Sequence, residues 1–114
     1  MLHSVKALNY MRGIIMSKLD QLDNQDMKNL FDAILSLENR DECRRFLEDV
    51  CTVGELISIC QRYAVAVMLR ENKTYAEIAK ATHASTATIS RVGRTLNYGN
   101  DGYDLIIERM KERS

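Results

Sequence analysis

Residues 74–96 read TYAEIAKATHASTATISRVGRTL, and the reading of this stretch decides the fold. Thr74-Tyr75-Ala76-Glu77 has the form of a capping box. In such a box the threonine hydroxyl accepts a free N–H of the first helical turn, and the glutamate reaches back to the threonine amide. The box predicts a short helix ending near Ala81 or Thr82. His83-Ala84 then make a tight turn. Turns between two such helices often hold glycine in a left-handed conformation, which histidine tolerates better than a β-branched residue does. A pH switch is not expected of so isolated a histidine. Ser85 can cap a second helix through the N–H of Thr88 or Ala87, and that helix should run to about Leu96. Two helical turns, a break of about three residues and three further turns are the layout of a helix-turn-helix over about 74–96.

The apolar positions agree. Ile78, Ala79, Ala84, Ile89 and Val92 fall where two crossing helices must face each other. Ala79 is small, so the two backbones can approach closely there. The opposite face carries Ser85, Thr86, Ala87, Thr88, Ser90, Arg91 and Arg94. Short hydroxyl side chains let a helix enter a major groove about 12 Å wide and bond to base edges or phosphates. Alanine and the threonine methyl can touch the thymine methyl. Lys73, Lys80, Arg91 and Arg94 supply cations that displace DNA counterions. Taken singly, a TxxE box or an amphipathic helix is compatible with a plain helical hairpin. Taken together, these features favour a double-stranded DNA interface.

Working outward, the rest of the chain also reads as helix. Leu30, Ile34 and Leu37 recur at three- and four-residue spacing over 24–37. Asn39 or Asp41 can cap a second helix whose apolar side holds Cys43, Phe46, Leu47 and Val50. Thr52-Val53-Gly54-Glu55 is another capping box, opening a long helix over 53–70. Apolar residues wrap most of that helix, which predicts a central, buried position. A last helix over about 101–113 carries Leu105, Ile106 and Met110 inward, and it and the helix over 24–37 expose apolar stripes that a compact monomer can hardly hide.

Composition narrows the class. The 114 residues are 46% hydrophobic and 28% charged, with no proline and five glycines. Such a chain folds, and it is poorly suited to a turn-rich β-sandwich or barrel. Its formal net charge of zero excludes a polycation that holds nucleic acid by bulk attraction. The charge is nonetheless segregated. Residues 17–51 carry five basic and nine acidic side chains, a local −4, whereas 72–96 carry four basic and one acidic, a local +3. Cys43, Cys51 and Cys60 form no CxxC pair and an odd set, which predicts reduced, buried thiols and a cytoplasmic protein. Two distant histidines make no metal cluster. No apolar run approaches the roughly 18 residues of a membrane span.

Residues 1–16 mix apolar and basic side chains, but Asn9 and Tyr10 interrupt the run and no cleavage site follows. We treat 1–16 as an N-terminal extension of uncertain status, with Met1 or Met16 as the start, and 17–114 as a single helical domain. No repeat, low-complexity segment or linker divides it.

The long helix opening at Thr52, the Arg62-Tyr63-Ala64-Val65 and Met68-Leu69-Arg70 stretches, and above all Ala84-Ser85-Thr86-Ala87-Thr88-Ile89-Ser90-Arg91 resemble the Trp repressor superfamily, most of all its YerC/YecD-type branch. The resemblance covers roughly 24–112. It implies an all-α chain of about six helices and an intertwined homodimer of the Trp repressor type. Two recognition helices would then enter successive major grooves about 34–36 Å apart on a palindromic operator. It implies a sequence-specific regulator, most simply a repressor.

The resemblance also implies a ligand pocket. Arg91 and Arg62 (or Gln61, where the register slips) match its two arginines, and Thr52 and Thr95 match its hydroxyl residues. The family's best-known member uses tryptophan there as corepressor. In this chain Val92 follows the pocket arginine where the tryptophan-binding protein has glycine, and Asp49 and Cys51 replace apolar pocket residues. The valine would fill space needed by the indole ring, and overpacking a closed site costs about 1–3 kcal/mol. Tryptophan is therefore not expected as a cofactor, and a smaller effector stays open. Arg91 suits a phosphate contact better than a ligand role. The competing class is a helical protein-interaction module with an acidic N-terminal half and no affinity for DNA. An enzyme is not expected: the sequence has no Cys/His or Ser/His/Asp arrangement and no phosphate-cradling glycine loop.

Overall fold

The computed structural model describes residues 24–114, so the extension over 1–16 and the choice between Met1 and Met16 lie outside the described residues. Among the described residues there are six helices and no strand: α1 (Gln25–Leu35), α2 (Arg40–Val50), α3 (Val53–Arg70), α4 (Tyr75–Thr82), α5 (Thr86–Tyr98) and α6 (Gly102–Glu112). They fall into two compact units that divide between Val53 and Gly54.

The first unit holds α1 and α2, each opened by an asparagine. The Asn24 side chain accepts the Met27 amide at 3.0 Å, and that of Asn39 accepts the Glu42 amide at 2.9 Å. Of the two caps considered for α2, Asn39 is the one used. Glu42 completes the start by accepting the Glu38 amide at 3.0 Å. Neither helix buries a residue, and Phe31, Ile34, Leu35 and Val50 stand exposed. Cys43 and Cys51 are half-buried.

The second unit packs around Val65 and Ala66 of α3, Ile78 of α4, Ala84 of the turn, Ile89, Val92 and Leu96 of α5, and Ile107 of α6. Four of the five residues expected to close the helix-turn-helix core are buried, and Ala79 packs against them half-buried. Each fully buried isoleucine or valine contributes about 1.5–3 kcal/mol by leaving water.

Polar ties hold these helices in place. Gln61 Nε2 donates to the Thr82 carbonyl at 3.0 Å, which satisfies a group that the end of α4 leaves open. Arg70 closes the other end. Its Nε and one terminal nitrogen donate to the two Asp104 carboxylate oxygens at 2.8 and 2.9 Å, and that same terminal nitrogen reaches the Leu96 carbonyl at 3.2 Å. One guanidinium thus joins the ends of α3 and α5 to the start of α6. The hydrogen bond to Asp104 raises Arg70 above its already high pKa.

Two expectations need correction. The long helix α3 is not buried throughout: burial is confined to Val65 and Ala66, while Ile57 is 62% exposed and Ile59 45%. Cys60, expected in the core, is exposed on that same N-terminal half. On α6 Ile107 is buried, and Leu105, Ile106 and Met110 stay exposed in the lone chain, as expected of a stripe that a compact monomer can hardly hide. The cause is the same in both helices. Apolar side chains surround them, but this unit has too few elements to cover every side.

The helix-turn-helix is opened by the capping box at Thr74. Its hydroxyl accepts the Glu77 amide at 3.1 Å, and Glu77 Oε1 accepts the Thr74 amide at 3.0 Å. The bond from the Thr74 amide, with that from its hydroxyl, holds the Glu77 carboxyl below the usual carboxylate range. A lowered folded-state pKa means stability that is complete above the ordinary glutamate value of about 4.3 and is lost as pH falls through the folded value. On acidification below that value, the melting temperature of the natural chain should drop more steeply than that of Glu77→Gln, whose amide does not titrate. Parallel melting curves across that range would contradict the assignment.

Candidate nucleic-acid interface

The turn between α4 and α5 sets the direction of α5. His83 ends α4 in the left-handed region at φ 60°, ψ 17° and donates its amide to the Ala79 carbonyl at 2.8 Å. Histidine, asparagine and aspartate enter this region more readily than other non-glycine residues. Thr82 stitches the same turn from both sides. Its hydroxyl donates to the Ile78 carbonyl at 2.8 Å and accepts the Ala84 amide at 3.2 Å. Ser85 follows as the cap of α5, its Oγ accepting the Thr88 amide at 3.1 Å and donating to Thr88 Oγ1 at 3.1 Å. Through Thr82, His83 and Ser85, the turn backbone is held without glycine.

All nine expected DNA-contacting residues lie on this motif or immediately before it. Lys73 precedes the cap of α4 and Lys80 sits on α4; both are exposed. Ser85, Thr86 and Ala87 stand exposed at the start of α5, and Arg91 and Arg94 farther along it. Thr88 and Ser90 are half-buried. The Thr88 hydroxyl already receives that of Ser85, so it belongs to the cap as much as to the outward face. Among the described residues, none of the four cations forms an ion pair. The result is a helix whose inner face is Ile89, Val92 and Leu96 and whose outer face is small, hydroxylated and basic.

Of the residues expected to hold a small ligand, Thr95 stands at the wall of a groove of about 380 Å³ with Tyr63, Asn100, Gly102, Tyr103 and Ile106, but Arg62 and Arg91 are not on its walls. The Thr95 hydroxyl donates to the Arg91 carbonyl at 3.1 Å. Arg62 is exposed, while its neighbour Gln61 is engaged with Thr82. Thr52 belongs to the first unit and is exposed. Val92 is 2% exposed and belongs to the core.

Two side chains beside this site escaped sequence reading. Arg70 anchors the end of α5, and only its partners, 26 and 34 residues away, reveal that. Tyr75, on the first turn of α4, lies against α5 at Gly93. A methyl group placed on Gly93 would stand 3.8 Å from the Tyr75 hydroxyl and 3.8 Å from Leu69 Cδ1. A glycine in mid-helix, which costs about 1 kcal/mol against alanine, was the available signal of a close approach.

Comparison with known proteins agrees with this geometry. The profile of the Trp repressor protein family matches residues 25–111. The chain is 52% identical over 95 residues to the uncharacterized protein YerC of Bacillus subtilis (strain 168), covering 83% of this chain and 91% of that one. Among solved structures it is similar to a TrpR-like protein from Eubacterium eligens, with a TM-score of 0.79 and 58% identity over 81% of this chain and 95% of that one. It is similar also to a Staphylococcus aureus protein described as a candidate Trp repressor, again with a TM-score of 0.79, at 50% identity over 82% and 93% of the two chains. No described helix is long and apolar enough to cross a membrane. Six helices, a helix-turn-helix in the second unit and a family match over nearly all the described residues lead to one assignment: the chain belongs to the Trp repressor protein family.

Proposed function

We propose that this protein is a cytoplasmic, sequence-specific DNA-binding regulator. It acts most simply as a repressor, with residues 17–114 as its single DNA-binding domain. The observation that carries the reading is the outer face of α5. There Thr86, Ala87, Ser90, Arg91 and Arg94 surround a helix whose entry angle is fixed by a fully capped turn. Ser85 and Thr88 supply the cap, and Lys73 and Lys80 add charge from α4. A face of this kind fits the major groove, with hydroxyls for base edges and cations for phosphates. Family membership supports the same reading.

The regulator works as a homodimer on a palindromic operator. Support comes from the apolar side chains left in water by each unit: Phe31, Ile34 and Leu35 on α1, Ile57 and Ile59 on α3, and Ile106 and Met110 on α6. Soluble chains seldom keep so many large apolar groups exposed, and a second copy would cover them symmetrically. Tryptophan is not its corepressor. Val92 is locked in the core and could leave it only by opening a cavity.

Selection from a random duplex library should enrich an inverted repeat with half-site centres about 10 base pairs apart, bound with a steep salt dependence. Thr86→Ala, Thr88→Ala and Ser90→Ala should each change preference at one position by about 1–3 kcal/mol. Lys80→Ala should weaken all sequences alike and flatten the salt slope by about one. Failure to bind any duplex, with activity insensitive to Arg91→Ala and Arg94→Ala, would instead mark a protein-interaction module. Titration calorimetry with tryptophan should give no heat of binding at micromolar concentrations; micromolar affinity would refute the corepressor reading.

A further inference from the structure

We propose that the Tyr75 hydroxyl is a neutral phosphate anchor that sets the depth and register of α5 on duplex DNA; this inference rests on the DNA-binding reading above. Tyr75 is the first residue of α4 and is 45% exposed. Its hydroxyl reaches α5 beside Gly93, where it would stand 3.8 Å from a methyl group on that residue, an ordinary contact. The exposed hydroxyl makes no hydrogen bond to any described residue. It therefore stays available as a donor at the side of the recognition helix.

The surroundings suit an anion. Arg94 follows Gly93 directly, and Lys73 stands two residues before Tyr75. The nearest carboxylate in sequence, Glu77, is turned back onto the Thr74 amide. The capping box uses the Glu77 amide, and the Ile78 amide closes the first helical bond onto the Thr74 carbonyl at 2.9 Å. The amides of Tyr75 and Ala76 have no intrahelical acceptor, as at every helix start. In a helix-turn-helix the first helix crosses the sugar–phosphate backbone while the second lies in the groove. A hydroxyl carried by the first helix and seated against the middle of the second meets the strand that borders the groove. A phosphate oxygen accepting that proton holds both helices at one height. The contact carries no base information, and it releases no counterion because the phenol is neutral.

The test uses Tyr75→Phe, which keeps the ring and removes the donor. The probes are the duplex enriched by selection and an unrelated duplex of equal length. Expected are unchanged melting, a loss of about tenfold in affinity for both duplexes, an unchanged salt slope and an unchanged sequence preference. Phosphate-ethylation interference should lose one position per half-site in the variant and keep all others. A tyrosine that only buttressed α5 would blur sequence preference and leave the footprint complete. That result, or a variant that binds and footprints like the natural chain, overturns the anchor while leaving DNA binding intact. A natural chain that binds neither duplex overturns both readings together.

Discussion

The second unit depends on one constraint: two short helices must cross at a fixed angle with no glycine in the turn between them. α4 has eight residues and α5 thirteen, too few for either to be stable alone in water. Their joint stability comes from a small apolar contact set and from closing the backbone groups at their ends. Ile78, Ala84, Ile89 and Val92 exclude water from the crossing. Thr82, His83 and Ser85 deal with the turn, and Gln61 secures the last turn of α4 from α3. Removing either contribution would leave the outer face of α5 without a defined direction.

That direction gives the charge distribution its meaning. The chain is neutral overall, so bulk attraction cannot bring it to a polyanion. Lys73, Lys80, Arg91 and Arg94, on α4, on α5 and just before α4, form no ion pair among the described residues. Two arginines of other helices differ. Arg44 pairs with Asp41 at 2.7 Å, and Arg70 is engaged with Asp104 and Leu96. Exposed pairs such as Arg44–Asp41 add little stability.

Much of this was legible in the sequence because it is local. Capping chemistry acts over three residues, so Thr74, Ser85 and Asn39 announce their helices. The spacing of Ile78, Ala84, Ile89 and Val92 gives the core of the motif for the same reason. What could not be read depends on which surfaces meet. On α6 the apolar residues Leu105, Ile106, Ile107 and Met110 surround the axis, and periodicity alone did not single out Ile107 as the one buried within the chain. On α3 the pattern is apolar along its length, yet only the second half finds neighbours within its unit. Gln61, Arg70 and Tyr75 acquire their roles from residues about 20 or more positions away, and no window of sequence contains both ends. Thr86, Ala87, Arg91 and Arg94 stand exposed on α5, whereas the Thr88 hydroxyl is tied to the cap.

The central claim is that the outer face of α5 meets the duplex while the acidic helices do not. Amide chemical-shift mapping of the full chain during titration with the selected duplex addresses it most directly. The account predicts that the largest shifts fall on Thr86, Ala87, Ser90, Arg91 and Arg94, with smaller ones near Lys73 and Tyr75 and silence along α1 and α2. Shifts concentrated on α1 and α2, with α5 unmoved at saturating duplex, would contradict it.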